Sequence, residues 1–256
     1  MPITRRALLI SNPGEARDEN HCLGVYVDIK NHQRFLASAE GGGWAPSEIE
    51  PPMDRPSTAE LRLKIAELAR YDYTFIMFTG HGWYSSSTRD RILILGNGEE
   101  IPSKELLKYA KKRVLILDCC QQVHQESYIE KLGRMVSFAT EATIPRRPSM
   151  EACRKLFLQQ IENAPAGVVQ AFSCNIDEFA NDDDDVGGLY NSSLIKSAES
   201  WILERANDHR KSDSILTIGS AHAQAAETTR AKSKYSQNPQ IESSPVNSIY
   251  PFSVFA

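Results

Sequence analysis

Two short segments of the chain end in residues able to carry out acyl transfer: Phe75-Ile-Met-Phe-Thr-Gly80-His81-Gly82 and Val114-Leu-Ile-Leu-Asp118-Cys119-Cys120. A free thiol is mostly protonated at neutral pH, and only its thiolate attacks a carbonyl carbon well. A neighbouring imidazole lowers the thiol pKa, takes the proton and later returns it to a leaving amine. The cysteines that end the second segment therefore offer a candidate nucleophile, and His81 is its candidate base. Gly82, without a Cβ, can bring its backbone N–H close to a substrate oxyanion, and the N–H of Cys120 is the second donor.

Both segments begin as short, continuously apolar runs, the pattern of strands covered on both faces. A buried parallel strand delivers whatever follows it to the carboxyl edge of its sheet, so two neighbouring strands can set an imidazole against a thiol there. Around them, a strand is predicted over Ala7–Ser11, ended by the turn Asn12-Pro13-Gly14. The stripe Val25, Ile29, His32 and Leu36 predicts a crossover helix. Ser57-Thr-Ala-Glu60 is a capping box opening a helix through Leu61, Ile65 and Leu68, which feeds the strand ending at His81 and completes a βαβ unit. A small strand and turn follow at 91–98, then a short helix over Ser103–Ala110. Residues 121–149 are polar and contain Pro145 and Pro148, the composition of a loop outside the core. A helix over Ser149–Asn163, a buried strand over Gly167–Ser173 and a helix over Gly187–Glu204 continue the alternation. In the last forty residues only Ser253–Ala256 reads as a strand.

The chain of 256 residues is long enough for one substantial α/β domain. Its 29 basic and 33 acidic residues give a net charge of −4, which offers no attraction for nucleic acid or an anionic membrane. No transmembrane run is present, and the apolar stretch near the start is too short for a signal peptide. Five cysteines, an odd number without a CxxC pair or ligand spacing, indicate neither a disulfide framework nor a zinc site. Reduced thiols in a cytoplasmic setting are expected, with Cys22, Cys119, Cys153 and Cys174 as small buried hydrophobes. No redox or nucleotide cofactor is implied.

On Thr79-Gly80-His81-Gly82 and Asp118-Cys119-Cys120 the chain resembles the caspase-like cysteine peptidases, metacaspases and bacterial orthocaspases more than animal caspases. Phe172-Ser-Cys-Asn-Ile-Asp-Glu-Phe-Ala180 with Gly187-Gly188-Leu-Tyr, and the closing Asn238-Pro239-Gln240 and Tyr250-Pro251-Phe252, extend the resemblance over nearly the whole chain. It implies a three-layer α/β/α sandwich with a mostly parallel central sheet. The whole of 1–256 would be one peptidase domain, with a nucleophile half over 1–120, an intervening loop over 121–149 and a second half over 150–256. It also implies protein or peptide substrates, with Cys120 and His81 as the catalytic dyad and Gly82 at the oxyanion. Asp28 and Asp118 would be the substrate-binding carboxylates that select Arg or Lys before the scissile bond. Asp28 as a solvated helix residue and Asp118 as a helix cap are the alternative readings.

The run Asn181-Asp-Asp-Asp-Asp185 lacks the alternating spacing and turn glycine of a calcium loop; a mobile acidic loop is expected, with calcium as the possibility that the resemblance raises and attraction of basic peptides toward the substrate groove as the other role. Lys131, Arg134, Arg146 and Arg147 lie in the intervening stretch, where the resemblance implies activating self-cleavage, after Arg146 sooner than after Arg147, which Pro148 follows. Relatives carry a glycine soon after the nucleophile, whereas this chain reads Gln121-Gln122-Val123. That departure motivates a rival function, a catalytically silent scaffold of the same fold. An α/β-hydrolase reading of Gly80-His81-Gly82-Trp83 finds no nucleophile elbow. The sequence leaves the physiological substrate and the oligomeric state open.

Overall fold

In the computed structural model, which describes residues 3–17, 20–120, 147–207, 214–244 and 249–256, the apolar runs form the centre of one sheet. The first half of the chain folds as β1 (Arg5–Asn12), α1 (Gly24–Ala37), β2 (Met53–Asp54), α2 (Thr58–Leu68), β3 (Tyr73–Gly80), β4 (Gly82–Ser85), β5 (Asp90–Ile94), β6 (Glu100–Pro102) and β7 (Lys112–Asp118). The second half folds as α3 (Met150–Asn163), β8 (Gly167–Phe172), β9 (Asp182–Asp183), β10 (Gly187–Gly188), α4 (Leu189–Asn207), β11 (Ser214–Thr217), α5 (Ile218–Lys232), β12 (Gln240–Ser244) and β13 (Pro251–Phe255). The main sheet runs β12-β8-β7-β3-β1-β2, parallel throughout except for β12, which pairs antiparallel with β8.

Side chains alternate across a strand, and this sorts the core into two layers. Leu8, Ile10, Ile76, Phe78, Leu115 and Leu117 pack on one face with Leu61, Ile65 and Leu68 of α2 and with Leu93 and Ile101 of the antiparallel β4-β5-β6 sheet. Ala7, Leu9, Phe75, Met77, Val114 and Ile116 pack on the other with residues of α1, α3, α4, α5, β11 and β13. Each fully buried Leu, Ile or Phe contributes about 1.5–3 kcal/mol, so β3 and β7, apolar on both faces, are the fold's anchors. The capping box of α2 forms as read: Ser57 N–H donates to the Glu60 carboxylate (2.8 Å) and Glu60 N–H to Ser57 Oγ (3.3 Å).

Several expectations are corrected. β3 ends at Gly80, so His81 stands just outside the strand. Gly80 has φ +144°, and a Cβ there would lie 2.2 Å from the Asn12 carbonyl oxygen, so only glycine lets the chain turn off the sheet at this point. The short helix expected over Ser103–Ala110 is a 3-10 helix that stops at Leu107. The acidic run is not a loose loop: Asp182–Asp183 pair antiparallel with Gly187–Gly188, and the helix starts only at Leu189. The closing strand exists, but it pairs with β11 in a separate two-stranded sheet. Cys119, Cys153 and Cys174 are buried, whereas Cys22 is half-buried. Among the described residues no helix is long and apolar enough to cross a membrane.

Candidate active site

Strand register decides what meets at the carboxyl end of the sheet. Thr79 of β3 pairs with Asp118 of β7, so His81 and Cys120 lie two residues beyond a paired position on strands about 4.8 Å apart. Alternation places Leu117 and Cys119 in the α2 layer and turns Asp118 toward the layer of α1 and α4. The Cys119 sulfur lies 2.9 Å from where a Gly82 Cβ would stand, as does the Ile92 carbonyl oxygen, so the missing side chain at 82 makes room for the core. The His81 carbonyl accepts from Ile94 N–H (3.0 Å), which makes Gly82–Leu93 a non-hydrogen-bonded pair and directs the Gly82 N–H away from β5.

The imidazole is held by a turn built on Asn12. Its Nδ2 donates to the carbonyls of Ile94 (2.7 Å) and Leu95 (3.3 Å), its Oδ1 accepts from Gly14 N–H (3.2 Å), and its carbonyl accepts from His81 N–H (3.3 Å). Pro13 and Gly14 are thereby laid against the ring, with the Pro13 carbonyl oxygen 3.3 Å from Nε2. A carbonyl can only accept, so this contact assigns a proton to Nε2 of the ring.

Cys120 is partly exposed, its Sγ 4.0 Å from the Ala180 carbonyl oxygen. Burial pushes its thiol up to about 11, with the charge of Asp118 adding to the effect and the Ala180 carbonyl opposing it. The thiol at rest is therefore neutral.

Asp28 and Asp118 come together, although they are 90 residues apart (118 − 28). Asp28 is 1% exposed, which overturns the solvated-helix alternative. Its Oδ2 accepts from Thr79 Oγ1 (2.9 Å) and Asn191 Nδ2 (2.9 Å), and its Oδ1 from Gly188 N–H (3.0 Å). Asp118 is 5% exposed, and its Oδ2 has no hydrogen-bond partner among the described residues. A Cβ on Gly188 would lie 2.3 Å from that oxygen and 3.0 Å from Asp28 Oδ2, so both carboxylates close on the same glycine. Burial first, then the charge of Asp118, pushes Asp28 well above the usual carboxylate range. Burial, with the field of Asp182 adding, lifts Asp118 to about 7. Asp182 itself is lifted to about 6 by burial, against the Gly24 N–H that it accepts at 3.2 Å.

Among the described residues no group of three or more His, Cys, Asp or Glu side chains converges as a metal site. Within the acidic run, Asp183 Oδ1 accepts from the N–H groups of Asp185 and Val186 (3.0 Å each). Lys131, Arg134 and Arg146 lie outside the described residues, as do the residues that Asp118 would cap; Arg147 is exposed. Sequence reading assigned no role to Pro13, Thr79 or Asn191, and marked Asp182 only as one of the acidic run 181–185. Thr79 had a usable signal, since alternation puts it on the same face as Asp118.

These features define an α/β fold of the caspase type. In fold the chain is similar to caspase-1 from Spodoptera frugiperda, at 14% identity and a TM-score of 0.57 over 94% of this chain and 88% of that one. No curated protein matches the chain. The caspase-domain family model matches residues 4–250, and the chain belongs to that family of cysteine peptidases.

Proposed function

We propose that the chain is a cysteine endopeptidase of the metacaspase or orthocaspase type that cleaves peptide bonds after Arg or Lys. The carrying observation is the pair Asp28 and Asp118, buried, facing one glycine and, among the described residues, in no ion pair. A buried carboxylate pair without a cation costs several kcal/mol. A guanidinium entering between them supplies charge-assisted, bidentate hydrogen bonds, including one to the unpartnered Asp118 Oδ2.

With Nε2–H held by Pro13, the lone pair of His81 sits on Nδ1, which takes the proton of Cys120 as sulfur bonds to the substrate carbonyl carbon. Because burial keeps the thiol neutral, proton transfer accompanies attack and no thiolate is stored. The N–H groups of Gly82 and Cys120 hold the oxyanion. Collapse breaks the C–N bond, the imidazolium protonates the leaving amine, and a thioester remains. Water, deprotonated by His81, then cleaves the C–S bond and frees the acid, and the proton returns to sulfur. A reducing, cytoplasmic compartment belongs to the same reading. Peptide substrates varied at the residue before the scissile bond test it: turnover of Arg and Lys substrates, absent in Cys120→Ala, is expected, and turnover confined to Asp would overturn the specificity.

A second reading, a silent scaffold, is favoured by Gln121-Gln122 standing where the resemblance leads one to look for a glycine after the nucleophile. An arginyl acyloxymethyl ketone probe separates the two. Labelling of Cys120 that His81→Ala abolishes belongs to the peptidase, and a folded protein that resists labelling belongs to the scaffold. Self-cleavage after Arg146 is read by comparing intact masses of wild type and Cys120→Ala; an uncut wild type under turnover conditions removes it.

A further inference from the structure

One of the four clustered aspartates points into the protein. Asp184 and Asp185 are exposed, and Asp183 closes its own turn, but Asp182 turns inward from β9 to the start of α1. That helix has no cap of its own: Leu23 stands at the cap position, and the first turn holds no acidic residue. Asp182 Oδ2 accepts the Gly24 N–H at 3.2 Å from 158 residues away, and a Cβ on Gly24 would lie 2.2 Å from Asp182 Oδ1. Directly across the β9–β10 ladder from Asp182 is Gly188, the residue against which Asp28 and Asp118 both close. Opposed residues in such a ladder have Cα atoms about 4.5–5.5 Å apart, which makes Asp182 the next carboxylate outward from that pair. The buried, unpartnered Oδ2 of Asp118 is aimed into the same cluster, and among the described residues none of the three carboxylates is in an ion pair.

We propose that Asp182 is a specificity-determining residue of the basic-side-chain pocket, its carboxylate forming the outer wall that meets the cation of the substrate while the Gly24 amide holds it in place. The assignment rests on the reading of Asp28 and Asp118 given above and adds a residue that no sequence motif marks. Charge and cap can be separated. Asparagine is as good a helix cap as aspartate, so Asp182→Asn keeps the bond to Gly24 and removes only the charge, whereas Asp182→Ala removes both.

The test uses the full chain carrying Cys120→Ala, so that binding is read without turnover, and a peptidyl-arginine amide as probe in calorimetry. Adding Asp182→Asn is expected to weaken binding about 10-fold with no loss of Tm, and Asp182→Ala to weaken it as much while also lowering Tm. In the active protein the Asp182→Asn effect should fall on KM and leave kcat in place. Unchanged affinity in Asp182→Asn, with affinity lost in Asp118→Asn, overturns the role of Asp182 and leaves the pocket standing. No binding of the arginyl probe by the parent protein overturns the pocket, and the role of Asp182 with it.

Discussion

Two clusters of buried charge stand at opposite ends of the parallel strands. At the amino end, Arg5 is 2% exposed; its guanidinium lies 4.2 Å from the Trp44 ring centre, donates to the carbonyls of Gly42 (2.9 Å) and Gly43 (3.1 Å), and pairs with Glu48 (3.1 Å). Arg154 holds the other side of Glu48 at 2.7 Å. At the carboxyl end, Asp28, Asp118 and Asp182 gather with no cation of their own among the described residues. In the first cluster two arginines share one carboxylate, so the buried charge meets a counter-charge within the chain, and the contacts tie β1, the 39–49 segment and α3 together. The second has no counter-charge of its own among the described residues, and on the function proposed above a basic substrate side chain supplies it. Burial alone therefore does not mark a functional charge.

The contrast can be broken by substitution. Arg5→Met leaves Glu48 less well paired and empties the space over Trp44, so a stability loss of about 3 kcal/mol is expected, seen as a lower denaturation midpoint, with kcat/KM of the folded protein near wild type. Asp118→Asn should do the reverse: kcat/KM on Arg substrates falls about 100-fold, while Tm at pH 8 rises because a desolvated charge has been removed. A variant that lost both activity and Tm would show that Asp118 is structural after all.

Opposite pH signatures sharpen the comparison. In the folded protein Asp118 titrates at about 7, above its unfolded value of 3.8, so its contribution to stability is complete below the unfolded value and is lost as pH climbs through about 7. Burial pushes Glu48 upward, but hydrogen bonds from Arg154 and Arg5 hold it down at about 2, so its contribution is present above 4.5 and lost as pH falls toward 2. Tm recorded against pH should therefore decline on both sides. Asp118→Asn is expected to flatten the upper decline and Arg5→Met the lower one. The smallest effect is expected of Thr79→Val, which removes one donor from buried Asp28: KM for Arg substrates rises about fivefold at pH 7, with kcat little changed.

Elements with a local signal were legible in the sequence. The runs at 75–78 and 114–117 had to be buried strands, and the box at Ser57 and Glu60 had to open a helix. α5 was not legible, because its alanine-rich sequence Ile218–Lys232 has no sharp apolar stripe, and β11 has strand character only through its pairing with β13. At the site, His81 and Cys120 stood out by type and position. Asp28 was reached only through family resemblance, since an aspartate in a helix looks solvated until Thr79, Asn191 and Gly188 surround it. The Pro13 contact is made by a backbone oxygen, which side-chain identity does not encode. Asp182 sits among three similar residues, and only the distant Gly24 amide sets it apart.

The two adjacent sulfurs are not interchangeable. Cys119 fills space behind Gly82 in the layer of α2, while Cys120 opens on the opposite side of the sheet. Neither can stand in for its neighbour without a one-residue slip of β7, and such a slip would press Asp118 into hydrocarbon. An alkylating reagent acting on the native protein should thus count one modified atom in this doublet, at 120, and a second only after the sheet has come apart.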